Sequence, residues 1–155
     1  MQDYFLPFGV KTTFCVEGAV LEKTAMQSGA MEFDLSGQPD LAQSLVVACA
    51  ALQRPFRFTG LQTLRIKETD RLAALARELD KLGITVALEN DESIRSVTYA
   101  SAPAHLQPVA TYEDHRMALA FAPCALRFPG LQIAEPTVVN KSYPGFWEAL
   151  QSLLK

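Results

Sequence analysis

The feature that most limits the fold of this chain is an internal repeat with a shift of 74 residues. Displaced by that amount, the sequence partly overlays itself without a gap, and charged and proline residues coincide as well as apolar ones. The matched pairs include Asp40 with Asp114, Leu45 with Leu119, Pro55 with Pro129, Thr63 with Thr137, Lys67 with Lys141 and Leu79 with Leu153. The alternative is chance overlap of two Ala/Leu-rich helices, but matches outside the apolar stripes argue against it. The chain is therefore predicted to contain related structural units.

One copy of the repeat predicts a β-α-β-α-β-β unit in an α/β fold. Strands are expected where β-branched, aromatic and polar residues alternate, and helices where apolar residues recur at helical spacing. The predicted order is strand 31–36, helix 40–52, strand 55–60, helix 68–82, and strands 84–90 and 93–100 joined by a hairpin turn. The second copy predicts strand 109–113, helix 114–127, strand 131–136 and helix 143–154.

The phase of the repeat predicts three parts. Residues 1–31 match the closing hairpin of a truncated unit, residues 32–105 a complete unit, and residues 106–155 a last, incomplete unit. The resulting expectation is a fragment of a longer protein, holding about two of the three units of one domain. Because part of a domain is then missing, an apolar face is expected to be exposed, which favours self-association.

Composition excludes several classes of function. A net charge of −3 does not suggest a nucleic-acid partner, and no apolar run is long enough to cross a membrane. Cys15, Cys49 and Cys124 form no close pair and are expected to be reduced core residues of an intracellular, cytoplasmic protein. With only His105 and His115 in addition, no metal site is predicted.

Cations recur at the predicted helix starts, where the backbone dipole favours acids. These residues are Lys67, Arg71, His115, Arg116 and Lys141. A bound anion would explain them, because helix N-termini and basic side chains both attract phosphate or carboxylate. The alternative is a set of solvated charges that pair locally with neighbouring acids. The repeated register favours a common anion-binding cleft.

Three residues at helix starts have a simpler explanation as caps, since Asp and Thr accept hydrogen bonds from free backbone N–H groups there. For Asp114 the cap is the favoured interpretation, and Thr69 is also expected to be a cap. Asp40 is expected to combine a cap with a catalytic role.

Three motifs resemble the C-terminal part of the 5-enolpyruvylshikimate-3-phosphate synthases: "RIKETDRL" at 65–72, "EDHRMALAF" at 113–121 and "NKSYPGFWEAL" at 140–150. "PDLAQSL" at 39–45 is a weaker fourth motif. The resemblance covers about residues 32–155. It implies two domains, each built from three β-α-β-α-β-β units whose helix N-termini face the cleft between the domains. The N-terminal domain would be the missing partner of this chain.

The resemblance also implies a reaction, the transfer of the enolpyruvyl group of phosphoenolpyruvate to the 5-hydroxyl of shikimate 3-phosphate with release of phosphate. This step belongs to aromatic amino-acid synthesis, and no metal or cofactor is implied. The implied proton acceptor is Asp40, which also contacts shikimate 3-phosphate, and the implied proton donor is Glu68. Lys67 is the implied shikimate 3-phosphate contact, and Thr63 stands where some family members have asparagine. The implied phosphoenolpyruvate-binding cations are Arg71, Arg116 and Lys141.

Two other functions stay open from the sequence. One is a different enolpyruvyl transferase, of the type that acts on UDP-N-acetylglucosamine. The other is a non-catalytic binding module with the same fold, although a module without activity would not need to keep all the proposed site residues. As a fragment of the synthase, the isolated chain is expected to be inactive.

Overall fold

Six strands and five α-helices make up the part of the chain that this computed structural model describes, residues 2–153. The strands are β1 (Val10–Cys15), β2 (Gly18–Lys23), β3 (Met31–Asp34), β4 (Phe56–Thr59), β5 (Ile84–Glu89) and β6 (Ser93–Tyr99). The helices are α1 (Gln2–Phe5), α2 (Ala42–Ala51), α3 (Arg71–Asp80), α4 (His115–Phe121) and α5 (Phe146–Leu153). Shorter 3₁₀ helices lie at Leu6–Phe8, Pro39–Leu41, Gln62–Ile66, Ala122–Leu126 and Pro136–Lys141. The predicted α/β class is confirmed.

Strands β3 to β6 form one sheet in the order β3-β4-β6-β5. Strands β3 and β4 are connected by helix α2 and pair in parallel, whereas β6 pairs antiparallel with both β4 and β5. The hairpin between β5 and β6 turns at Asn90 and Asp91, which take left-handed φ values of 51° and 58°. Asn and Asp tolerate this conformation better than most residues. The β-α-β-α-β-β order predicted for the middle of the chain is present from Met31 to Tyr99.

The core lies between the sheet and helices α2 and α3. Helix α2 is apolar on nearly every side, and most of its residues are buried between the sheet and helix α4. Helix α3 buries one apolar stripe and exposes the opposite face. The largest fully buried apolar side chains are Leu35, Leu45, Phe58, Leu61, Leu64, Leu72, Leu75, Leu79, Leu82, Ile94 and Phe121. This core fixes the ends of β3 and β4, from which the candidate site is built.

The predicted helix boundaries require correction. Helix α3 starts at Arg71 because the carboxylate of Asp70, not Thr69, accepts the capping hydrogen bond from the Ala73 N–H at 3.0 Å. Helix α4 ends at Phe121, since Pro123 has no N–H to continue it.

The last helix also starts later than expected, at Phe146 instead of residue 143. Pro144 disfavours the helical conformation of the residue before it. The predicted end at Leu154 lies outside the described residues.

Two lysines that are predicted at helix starts lie instead at the carboxyl ends of 3₁₀ helices. Lys67 directly follows the 3₁₀ helix Gln62–Ile66, and Lys141 is the last residue of the 3₁₀ helix Pro136–Lys141. Both lie at carboxyl ends, where the backbone dipole favours a cation. The prediction that these two residues sit unfavourably at helix starts is therefore wrong, while Arg71 and Arg116 do occupy first turns.

The second copy contains fewer strands than expected. Strands 109–113 and 131–136 reduce to one isolated parallel bridge between Val109 and Ile133. The next residues cannot extend that bridge, because the N–H of Thr111 donates to the Glu135 carboxylate at 3.1 Å and Tyr112 has a left-handed φ of 55°. The division into parts 1–31, 32–105 and 106–155 stays a prediction.

The three cysteines divide into two classes. Cys49 and Cys124 are free and buried, and burial raises the pKa of each thiol to about 12, so both stay protonated and unreactive near neutral pH. Cys15 is exposed at the end of β1, so the prediction that it belongs to the core is wrong. It belongs to the β1–β2 hairpin, a separate sheet whose residues are largely exposed.

Candidate active site

The candidate site lies where parallel pairs of strands end. Asp40 follows β3, and the segment with Lys67 and Glu68 follows β4. Because β3 and β4 run in parallel, both segments leave the sheet at the same edge, the usual location of ligands in such sheets. The parallel bridge between Val109 and Ile133 is likewise followed by the start of α4 and by Lys141. Charged residues thus follow both parallel pairings, the one between β3 and β4 and the one between Val109 and Ile133.

A glycine allows the two segments of the first pair to approach. Gly60 has a φ of 75°, and a Cβ at this position would lie only 2.2 Å from the Ser36 hydroxyl oxygen and 2.6 Å from an Asp34 carboxylate oxygen. Any side chain would force apart the loops that follow β3 and β4.

Arg71 lies at the centre of the site and donates to three carboxylates. Its Nε lies 2.6 Å from Asp114 Oδ2, its Nη1 2.8 Å from Asp40 Oδ1, and its Nη2 2.7 Å from Glu68 Oε2. The side chain is only 2% exposed, so these ion pairs replace its hydration shell. Arg71 therefore joins three separate segments of the chain into one charged cluster.

Asp40 joins the remaining cations to this cluster. Its Oδ2 lies 3.2 Å from Arg116 Nη2 and its Oδ1 lies 3.9 Å from Lys67 Nζ. Arg116 also donates from Nη1 to the backbone carbonyl of Asp40 at 3.3 Å. Since Arg71 and Arg116 both contact Asp40, the two arginines lie on the same side of the molecule. The predicted convergence of these residues is present.

Asp114 is fully buried and has two functions in the structure. Its Oδ1 accepts the hydrogen bond of the Arg116 backbone N–H at 2.9 Å, which caps helix α4. Its Oδ2 forms the shortest ion pair of Arg71 and also accepts a long bond of 3.4 Å from the Gln43 amide. The cap expected from the sequence is thus correct but incomplete, because the same carboxylate also balances the buried guanidinium.

Gln43 is a site residue that sequence reasoning missed. It is buried on α2, and among the described residues its Oε1 has no hydrogen-bond partner. The available signal was a single amide in the first turn of a helix whose other residues, apart from Ser44, are apolar.

Lys141 and Thr63 lie at the margin of the cluster. Lys141 is exposed, and its Nζ donates to the backbone carbonyl of Glu113 at 2.9 Å, next to Asp114. Thr63 is exposed on the 3₁₀ helix that precedes Lys67, and this helix contacts the one that contains Asp40. The structure thus places both residues near the cluster, but among the described residues Lys141 forms no ion pair with it and the Thr63 hydroxyl forms no hydrogen bond with it.

The cations differ in their access to a ligand. The side chains of Arg116 and Lys67 are 37% and 38% exposed, and Lys141 is exposed as well. Arg71, in contrast, is enclosed by carboxylates. An anion can contact the three exposed cations directly, but it can reach Arg71 only by displacing Glu68 or Asp40.

Other types of site are absent from the described part of the chain. Among residues 2–153, no group of three or more His, Cys, Asp or Glu side chains is placed to hold a metal ion. No α-helix in the same range has both the length and the apolar character needed to cross a membrane.

A family model described as EPSP synthase (3-phosphoshikimate 1-carboxyvinyltransferase) matches residues 12–150, most of the chain. The chain belongs to the EPSP synthase family. A relative from Bacteroides fragilis, named 3-phosphoshikimate 1-carboxyvinyltransferase, is 49% identical over 150 residues, which are 96% of this chain and 36% of that protein. A relative of the same name from Methanoculleus marisnigri is 38% identical over 148 residues, 96% of this chain and 34% of that protein.

A solved EPSP synthase from Acinetobacter baumannii shares the fold, with a TM-score of 0.66 at 21% identity over 97% of this chain and 37% of that structure. The chain therefore spans about a third of the length of the EPSP synthases that it matches. The motifs at 65–72 and 113–121, which carried the resemblance, contain Arg71, Asp114 and Arg116.

Proposed function

We propose that this chain supplies one wall of an active site that transfers the enolpyruvyl group of phosphoenolpyruvate to the 5-hydroxyl of shikimate 3-phosphate and releases phosphate. One observation carries the proposal: Asp40 and Glu68 both pair with a single buried guanidinium, that of Arg71, and Arg116 pairs with Asp40. Two carboxylates beside exposed cations suit a reaction that moves protons between two anionic substrates. Family membership supports the same chemistry.

In this proposal the two carboxylates divide the proton transfers. Asp40 accepts the proton of the 5-hydroxyl while the oxygen of that hydroxyl attacks C2 of phosphoenolpyruvate. Glu68 delivers a proton to the methylene carbon C3. The tetrahedral intermediate then returns a proton from C3 to the Glu68 carboxylate and expels phosphate, which takes the proton held by Asp40. The carbon–carbon double bond of the enol ether is thereby restored, and both carboxylates regain their starting states. Both carboxylates are partly exposed, at 39% and 48%, so both are open to a ligand.

The cations hold the two anions in the same proposal. Lys67, with Thr63 nearby, contacts shikimate 3-phosphate, and Arg116 and Lys141 contact phosphoenolpyruvate. Arg71 also contacts phosphoenolpyruvate, after this anion has displaced Asp40 or Glu68 from the guanidinium. Fixed cations of this kind lower the barrier by orienting the substrates and by stabilising negative charge as it develops.

The test uses a chimera in which this chain replaces the matching 150 residues of the Bacteroides fragilis relative. Glu68→Gln is expected to lower kcat by about 10²- to 10⁴-fold with a small change in KM, because the amide cannot deliver a proton. Arg116→Ala is expected to raise the KM for phosphoenolpyruvate roughly 10- to 100-fold, because a charge-assisted contact is lost. Steady-state phosphate release with both substrates measures each constant.

Matched exposed residues provide the controls for these variants. Glu92→Gln and Arg127→Ala make the same chemical changes on exposed residues in other segments and are expected to leave kcat and KM unchanged. Near-normal turnover of Glu68→Gln would remove this residue from the proton transfers. Activity of the chimera with UDP-N-acetylglucosamine in place of shikimate 3-phosphate would contradict the proposed substrate.

The proposed partners include the remaining domain of the same enzyme and, in its absence, a second copy of this chain. The β1–β2 hairpin presents Val10, Phe14, Ala19 and Leu21 on one face beside Phe5. Phe14 and Leu21 are 70% and 67% exposed, an unusual state for such large apolar side chains. We place this chemistry in the cytoplasm, whose reducing conditions suit the free thiols of Cys49 and Cys124.

Self-association of residues 1–155 is therefore expected to increase with concentration. Light scattering should show an average mass above that of the 17.0 kDa monomer at high concentration. The double variant Phe14→Ser, Leu21→Ser should shift the mass toward the monomer, whereas Val97→Ser, at an exposed position on β6, should not. A strictly monomeric wild-type chain would contradict the expectation.

A further inference from the structure

A second buried carboxylate lies on α3, away from the proposed substrates. Glu78 is fully buried, and its Oε2 accepts hydrogen bonds from Lys81 Nζ at 2.6 Å and from the Ala110 backbone N–H at 3.0 Å. Its Oε1 accepts the hydroxyl hydrogen bond of Tyr112 at 2.6 Å. Lys81 also donates to the carbonyl of Pro108 at 3.2 Å. All of these contacts except the Glu78–Lys81 ion pair are made with residues 108–114, which we call the 108–114 segment.

Helix α3 thus holds the 108–114 segment at two points. Arg71 binds Asp114 at the start of the helix, and Glu78 binds Ala110 and Tyr112 farther along it. Residues 71 and 78 are seven positions apart, so they lie about two turns and roughly 10 Å apart on the same face of the helix. The two contacts fix both the position and the direction of the segment between them.

The held segment has an unusual backbone. Tyr112 and Glu113 take φ values of 55° and 58°, the left-handed region that residues other than glycine rarely adopt. This conformation directs the carbonyl oxygen of Glu113 to Lys141 Nζ, at 2.9 Å. It also places Asp114 where its carboxylate caps helix α4 through the Arg116 N–H and binds Arg71. A backbone of this kind persists only where its surroundings hold it in place.

The hydroxyl of Tyr112 is well suited to hold it. Burial, and next the hydrogen bond to Glu78, raise the pKa of Tyr112, so its hydroxyl remains a donor to the carboxylate. Replacement by phenylalanine removes the hydroxyl and its hydrogen bond to Glu78, and keeps the ring and its packing.

We propose that Glu78 and Tyr112 are positioning residues for the anion site, which they align through the 108–114 segment without touching a ligand. The identity of the anion rests on the proposed function, whereas the positioning itself can be measured without a ligand. In this arrangement Glu78 and Tyr112 fix two groups: the Asp114 carboxylate that accepts from the Arg116 N–H, and the Glu113 carbonyl that accepts from Lys141. A residue with only a general stabilising role would have no selective effect on those two groups.

The test compares Tyr112→Phe with Tyr99→Phe in residues 1–155. Tyr99 is a matched control, since its partly buried hydroxyl also donates one hydrogen bond, to the carbonyl of Arg54, on β6. Amide hydrogen exchange of Arg116 is expected to rise about tenfold in Tyr112→Phe relative to amides of β5, and to remain unchanged in Tyr99→Phe. NMR titration with phosphoenolpyruvate should show a Kd about tenfold higher for Tyr112→Phe only.

The outcomes separate the two proposals. Unchanged exchange of Arg116 in Tyr112→Phe, or an equal change in Tyr99→Phe, would overturn the positioning role whatever the ligand is. If Arg116→Ala does not weaken phosphoenolpyruvate binding, the proposed anion site is wrong and the exchange measurement alone decides the positioning role. Glu78→Gln provides a second variant, expected to act in the same direction and more strongly, because it also removes the charge facing Lys81.

Discussion

Replacement of Arg71 by alanine is expected to lower the free energy of unfolding by about 3–5 kcal/mol, the usual effect of breaking a buried ion pair from one side. The reason is the carboxylate left behind. Asp114 is fully buried and would keep only its cap and the long contact from the Gln43 amide. For a chain of this length each kcal/mol corresponds to a fall of roughly 2–4 °C in Tm. Urea denaturation of residues 1–155 measures the change.

The control for this prediction is Arg116→Ala, which removes the same charge from a residue that is 37% exposed. Its effect on stability is expected to stay within about 1 kcal/mol, because partly exposed ion pairs contribute little. The double variant Arg71→Ala, Asp114→Asn should be less destabilised than the sum of its single changes, since no buried charge is then left unpaired. Equal losses for Arg71→Ala and Arg116→Ala would show that burial does not give Arg71 its importance.

Purified residues 1–155 are expected to release no measurable phosphate from phosphoenolpyruvate and shikimate 3-phosphate. The chain spans 36% of the length of the Bacteroides fragilis relative, and its exposed cations face solvent. Without an opposing wall, water screens their charges and the two substrates are not held together. Loss of positioning alone can restore up to about 7–11 kcal/mol of the barrier.

The chimera with the Bacteroides fragilis relative is the positive control for this experiment, assayed at equal molar concentration. Weak binding of phosphoenolpyruvate by residues 1–155, seen by NMR, is compatible with the expected inactivity because Arg116, Lys67 and Lys141 are all present. Turnover of residues 1–155 comparable to that of the chimera would contradict the prediction.

Much of the site could be predicted because it depends on position along the chain. Asp40, Glu68 and Arg71 follow parallel strands that local patterns predict, and parallel strands bring their following segments to one edge. The motifs then named the residues that meet there. The repeat register similarly anticipated that Lys67 and Lys141 occupy equivalent places.

What could not be predicted depends on contacts between distant segments. The enclosure of Arg71 by three carboxylates requires knowledge of how α2, α3 and α4 pack, because Asp114 is 43 positions away from Arg71. The two missing strands near Val109 and Ile133 have the same origin, since the Glu135 carboxylate takes the N–H that the ladder needs. Glu78 gave one signal that was overlooked, a carboxylate on the face of α3 that carries Arg71.

The carboxylates around Arg71 also bear on which anions the proposed site would select. Asp40 and Glu68 each accept a hydrogen bond from one of the two terminal guanidinium nitrogens, so they compete with any ligand from within the protein. The affinity of an anion is then the difference between its own contacts and those it breaks. A small monovalent anion such as chloride gains little from this exchange. A ligand with several anionic oxygens can replace both carboxylates at once, and its arrival releases Glu68 and Asp40 together.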